Sequence, residues 1–305
     1  MNEQQRKEVK ARILKRYELY KFQSSRLKRL LKDPLRTLPY YIMQFIAYRV
    51  PFKVNYKTFW GDKMSFYLPE GNAIYYYGFF EANLANFFIN FLKRGDVFID
   101  VGAHVGYYTL LARALVEESG QVHSFEPTPR TFRTLQGNVS GKTGVYVNNH
   151  ALLNKKTTIE FVDYGPKYSA FNSYKTRTGQ QMSFLPTPEK MMVDTVFLDD
   201  YCREKQVTPT IIKIDAEGAE HLILQAMTNT LQKAKPVVTI EVAGNDEWKE
   251  NCHQSISLLK HQGYESYEIT NEGFLKPHTE KESYSYDNLV FVHQDNRHSV
   301  QSLLL

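Results

Sequence analysis

Cysteine is scarce in this chain: Cys202 and Cys252 are the 2 present in 305 residues. They form no CxxC spacing and cannot build a disulfide framework, so a reducing compartment is expected. Long hydrophobic runs are missing too. The nearest, LPYYIMQFIAY from Leu38 to Tyr48, is too short to span a bilayer and holds Gln44 and several tyrosines. The polar, charged N-terminus has no apolar core behind it, which argues against a secretory signal. A cytoplasmic protein is expected. Acids are thin at the start, where residues 1–36 hold 12 Lys/Arg against 4 acids. That segment carries +8 of an overall +5, leaving residues 37–305 at −3. A mildly acidic body disfavours nucleic acid, whose phosphates need a basic groove.

What is present is ordinary globular composition with a clear order. Residues 5–33 lack Gly and Pro and place Val9, Ile13, Tyr17, Tyr20, Leu27 and Leu31 at helical spacing. Such a basic amphipathic helix suits an anionic membrane surface, or else packs on the body or a second subunit. Residues 1–53 therefore read as a basic helical extension and 54–305 as the main domain, with its core at about 95–293. Residues 54–69 read as a hairpin around Gly61-Asp62, and a helix is expected from about Glu81 to Leu92. After that, VFIDV, QVHSFE, VYVNNHAL, TIIKID and PVVTIEV alternate with helical patterns, which means a parallel sheet covered on both faces. YESYEI and NLVFVH have no helix between them, so an antiparallel hairpin ends the sheet. Residues 163–190 read as a long polar loop.

DVGAHVGYYT, Asp100 to Thr109, is the glycine-bearing turn after the first of these strands. A dinucleotide fingerprint needs glycines at positions 102, 104 and 107, and this chain has His104 and Tyr107 at the last two. The pattern is Asp100-x-Gly102-x-x-x-Gly106. An acid at the strand end favours a ligand with a cationic group, such as S-adenosylmethionine. Gly102 allows close approach of its methionine part, and Gly106 lets the helix start close to the sheet. His104 reads as a hydrogen-bonding loop residue. Glu126, ending the second strand, suits two ribose hydroxyls. Asn149, His150 and Ala151, ending the third, stand where an adenine edge would be read.

GDVFIDVGAHVGYYT, HSFEPTP and IIKIDAEGAEHLIL (Ile211 to Leu224) resemble the FkbM-type family of S-adenosylmethionine-dependent methyltransferases, together with YYGFFE upstream and DNLVFV near the end. The resemblance covers about residues 75–293. It implies a Rossmann-like class I α/β fold with a seven-stranded, mostly parallel sheet in the order 3-2-1-4-5-7-6 and an antiparallel seventh strand. It also implies O-methylation of a sugar, glycolipid or secondary metabolite. The family commonly has Asn where this chain has His104, and again near His150.

Methyl transfer is an in-line displacement on an already activated donor, so the protein positions the acceptor and takes its proton. The fourth strand delivers Asp215, with Glu217 and Glu220 just after it, and the fifth delivers Glu241. Four carboxylates are thus expected beside the methyl donor. Asp215 or Glu217 is the expected general base, with Asp215 also beside the cofactor. Glu217 and Glu220 have helix capping as a second explanation. Asp215 and Glu241 are also a candidate Mg²⁺ pair. The clusters Tyr40-Tyr41, Tyr75-Tyr76-Tyr77 and Phe79-Phe80 suit sugar rings or the core equally. A nicotinamide oxidoreductase and a non-catalytic methyltransferase-like scaffold are the competing readings. A lipid-linked acceptor would fit a protein peripheral to the inner face of a membrane, and oligomeric state stays open.

Overall fold

The computed structural model describes residues 1–174, 184–242, 246–284 and 287–305. The first 49 residues are mostly helical, with α1 (Glu3–Tyr20), α2 (Arg26–Lys32) and α3 (Pro34–Arg49). A hairpin of β1 (Phe52–Lys57) and β2 (Lys63–Leu68) follows, then α4 (Asn72–Tyr77) and α5 (Ala82–Phe91). The alternating part begins with β3 (Val97–Val101), α6 (Tyr107–Val116), β4 (Gln121–Phe125), α7 (Pro129–Asn138) and β5 (Val145–Asn148). Next come β6 (Ala151–Leu152), β7 (Thr158–Asp163), β8 (Glu189–Val196) and α8 (Leu198–Lys205). The chain continues through β9 (Ile211–Ile214), α9 (Glu220–Gln225), α10 (Thr228–Lys233), β10 (Val237–Val242) and α11 (Asp246–His261). It closes with β11 (Tyr264–Ile269), β12 (Leu275–Pro277) and β13 (Asp287–His293).

The main sheet runs β12-β11-β13-β10-β9-β3-β4-β5. The central pairs β10–β9, β9–β3, β3–β4 and β4–β5 are parallel, while β13 is antiparallel to both β10 and β11. The expected seven-strand order is present, and NEGFLKP adds β12 as an eighth, short edge strand on β11. Strands β9 and β10 are buried throughout, as central parallel strands covered on both faces must be. Successive residues feed opposite cores: Phe98, Ile211 and Val237 pack with α1 and α4 to α6, whereas Ile99, Ile212 and Val238 pack with α8 to α11.

Two expectations change here, the helix over 5–33 and the strand VYVNNHAL. The helix over 5–33 is two helices, α1 and α2, separated by a turn at 21–24. Val9 and Ile13 of α1 are buried in the core, and Arg6 donates to the carbonyls of Ile89, Leu92 and Leu115 at the ends of α5 and α6. The guanidinium thus satisfies helix-end carbonyls that have no intrahelical partner. VYVNNHAL divides into β5 in the main sheet and β6 in a second sheet of order β6-β8-β7. Residues 163–190 are a connection from the end of β7 to the start of β8, with a 3-10 turn at Ser169–Phe171; its positions 175–183 lie outside the described residues.

Candidate active site

The carboxyl ends of β3, β4 and β9 open on a cavity of about 500 Å³, within the size range of small-molecule sites. The turn after β3 forms one wall. Gly102 has φ of +73°, and a Cβ there would sit 1.7 Å from the carbonyl oxygen of Asp215. Glycine is required because the turns after β3 and β9 cross at this point. Gly106, φ +92°, opens α6 against Leu135 of α7, so its close neighbour is that helix rather than the sheet. His104 has φ of +51°, a conformation that Asn and His adopt more readily than most residues. Its imidazole adds something else: Nε2 lies 2.8 Å from Glu70 Oε1 and 2.7 Å from Ser169 Oγ, joining the hairpin side of the cavity to the 3-10 turn. Burial works against its charge, but Glu70 and Glu126 outweigh it and raise its pKa.

Glu126 lines the cavity and is held by two backbone N–H groups, His104 to Oε2 (3.0 Å) and Thr128 to Oε1 (2.9 Å). Burial nonetheless pushes its carboxyl up. His150 and Ala151 line the same end. Asn149 does not: its amide donates to the carbonyls of Glu126 and Pro127, 2.9 Å each, and so shapes the turn that carries Glu126.

Asp100 lies beneath the cavity wall rather than on it. It is fully buried, its Oδ2 accepts from Thr109 Oγ1 (2.7 Å), and its Oδ1 lies 3.7 Å from Lys213 Nζ without a hydrogen bond. The cation it faces is therefore Lys213, directly opposite it in the β3–β9 register. Lys213 is 1% exposed, donates to Asp215 Oδ2 at 3.0 Å and sits 5.2 Å from the Tyr108 ring centroid. Burial alone would lower its pKa, but Asp215 and Asp100 hold it above the ordinary lysine value. The sequence reading passed over Lys213. A lysine inside the apolar run IIKI was the available signal, because a buried ammonium needs an acidic partner.

Asp215, Glu217 and Glu241 each place a carboxylate oxygen within 4.8 Å of the others, and all three line the cavity. Burial raises Asp215, yet Lys213 and a hydrogen bond from Glu241 bring it below its usual value. Glu241 moves the other way, held well above its usual value by burial and by the charges of Asp215 and Glu217. The two carboxyls shift in opposite directions, and Glu241 Oε2 is buried without a hydrogen-bond partner. Glu220 is absent from this group. It is buried under the turn, accepting from the N–H groups of Ala216 (3.0 Å) and Gly218 (3.2 Å) and from Asn251 Nδ2 (2.7 Å). Three carboxylates converge rather than four, and Glu220 holds the turn that presents Glu217. Nearby, Glu81 from YYGFFE takes the Tyr108 hydroxyl on one oxygen (2.7 Å) and Asn288 Nδ2 on the other (2.6 Å). Burial and the Asp215 charge push its carboxyl up to about 7. Of the aromatic clusters, Tyr76 and Phe79 are core, whereas Phe80 lines the cavity beside Phe66, Phe161 and Phe171.

The family model for the methyltransferase FkbM domain matches residues 100–266. The hexuronic acid methyltransferase AglP of Haloferax volcanii is 28% identical over 156 residues, 50% of this chain and 59% of that protein. The chain thus matches little more than half the length of that relative. Among solved structures, methyltransferase FkbM from Methylobacillus flagellatus aligns at 15% identity with a TM-score of 0.42, covering 65% of this chain and 44% of that one. Fibrillarin from Aeropyrum pernix, in complex with natively bound S-adenosyl-L-methionine, aligns at 11% identity with a TM-score of 0.40, covering 68% and 74%.

Proposed function

Because this chain belongs to the FkbM methyltransferase family, we propose that it uses S-adenosylmethionine to methylate a hydroxyl of a sugar in a glycan, glycolipid or secondary metabolite. One observation carries the reading: a single cavity has Glu126, aimed by two backbone N–H groups, at one end and the Asp215–Glu217–Glu241 group at the other. A carboxylate fixed at the end of the second strand suits a ribose, and an acidic group suits a sulfonium and an acceptor hydroxyl. Similarity to a hexuronic acid methyltransferase supports a sugar as acceptor.

The cofactor, when bound, supplies an activated methyl group. This chain's residues position the acceptor and take its proton. Asp215 is committed to Lys213, which helps hold its carboxyl below the usual value, so its charge orients the acceptor. Glu217, presented from a left-handed backbone position at the cavity wall, takes the hydroxyl proton. The expected Mg²⁺ does not fit this arrangement, because the Lys213 ammonium already occupies Asp215 Oδ2 and would stand as a like charge beside the ion. No step runs through a metal. Full activity in EDTA is the expected result, and a loss reversed by Mg²⁺ would overturn that point.

S-adenosylhomocysteine is expected to raise the unfolding midpoint, contributing about 2.7 kcal/mol at a hundredfold excess over Kd. Glu126→Ala is expected to lose the shift, and NAD to give none. A shift with NAD and not with S-adenosylhomocysteine would reverse the reading.

A further inference from the structure

Large apolar side chains that stand exposed are concentrated in one place. Among the described residues, nine of fourteen fall between Leu27 and Val50. On α3 they form a stripe, with Leu35 at 89% exposure, Leu38 at 56%, Ile42 at 56% and Phe45 at 63%. Leu27 and Leu31 extend it along α2. The opposite side of α3 packs on the body through Thr37, Tyr40 and Ala47. This helix is therefore apolar on both faces, and the fold covers only one, which is not how an ordinary surface helix is built.

We infer that the outer face of α2 and α3 docks on an anionic lipid bilayer, lying in its interface rather than crossing it. Charge selects the occupant. Between residues 19 and 61 stand nine Lys/Arg and a single acid, Asp33; Arg29 and Arg36 turn inward onto Tyr75 to Tyr77, which leaves seven for the outside. That acid is already paired with Arg16 at 3.2 Å and accepts from the Arg36 N–H at the start of α3. Lys28 and Lys32 alternate with the exposed leucines of α2, and the Arg49 guanidinium lies 3.7 Å from the Phe45 ring centroid at the other end of the stripe. Two copies of this face would set like charges against each other. An anionic headgroup layer above an acyl boundary satisfies the basic and the apolar groups together. No helix among the described residues is long and apolar enough to cross a membrane, so contact is peripheral.

The face also reaches the cavity. Lys167 donates to the Tyr48 carbonyl at the end of α3 (3.3 Å), and Ser169, two residues on, lines the cavity with Ala170 and Phe171. Given the methyl-transfer reading above, the acceptor this layout serves is one carried at the lipid surface. Docking itself does not depend on that reading.

The test is flotation of the full chain with phosphatidylcholine vesicles, with and without phosphatidylserine. Recovery with the anionic vesicles alone is expected, falling as salt rises. Leu38→Ser/Ile42→Ser/Phe45→Ser should abolish it, and Lys28→Glu/Lys32→Glu should weaken it about tenfold or more. An unchanged unfolding midpoint and an intact response to S-adenosylhomocysteine would show that each variant still folds. Equal recovery of the wild type and the triple variant would overturn the inference, and so would absence of flotation. A wild-type dimer that does not float, and that the triple variant turns into a monomer, would assign the face to a second copy instead.

Discussion

Lys213→Met is expected to destabilise the protein by about 3–5 kcal/mol, the range for removing one partner of a buried ion pair. Lys213 is the cation within reach of both Asp100 and Asp215, and Asp100 is fully buried with one oxygen lacking any hydrogen bond. Without the ammonium, burial raises both carboxyls in the folded state, while in the unfolded chain they stay near about 3.9. The folded variant then binds more protons than the unfolded chain above that value, so its stability falls as pH rises. Urea unfolding at pH 5 and pH 8 should show the deficit widening at pH 8. A further Asp100→Asn change should recover part of the loss, because it removes the uncompensated charge. An unchanged midpoint in Lys213→Met would reject the electrostatic account.

Glu217→Gln is expected to lower turnover by about 10²–10⁴-fold, the usual contribution of a positioned general base. Binding of S-adenosylhomocysteine should persist, since Glu126 and the turn after β3 are untouched. Asp215→Asn is expected to weaken acceptor binding as well as rate, because Asp215 orients rather than deprotonates. Its loss also removes a charge that raises Glu241, so the pH profile of that variant should move. Near wild-type turnover in Glu217→Gln would remove the base assignment, and a fall in cofactor binding would point to a structural role for Glu217.

The order of elements was legible because it is written in local periodicity. VFIDV, IIKID and VVTIEV are apolar runs of strand length, and YESYEI and NLVFVH have no helical pattern in the sequence between them. Family resemblance supplied the strand order of the main sheet, to which the structure adds the edge strand β12. The division of VYVNNHAL was not legible, since Asn149-His150 lies between two strand-like halves that join different sheets.

The site was legible in its parts and less so in its wiring. Glu126, Asp215, Glu217 and Glu241 are acids at strand ends, and such positions open on the crevice of a doubly wound sheet. Asp100 and Glu220 met the same description, but one turned to Lys213 and the other to the turn beneath Glu217. The sequence by itself determined the alternation of strands and helices, the glycine turn and the gathering of acids at one edge, because each depends on neighbours a few residues apart. Tertiary structure decided which acids face the cavity, since Asp100 meets Lys213 only through the register of β3 on β9, more than a hundred residues apart in the chain. It likewise decided which apolar face of the N-terminal helices is covered: α1 buries Val9 and Ile13 against the body, while α3 leaves Leu35, Leu38, Ile42 and Phe45 outside. Periodicity marks a face as apolar, and only packing determines what lies against it.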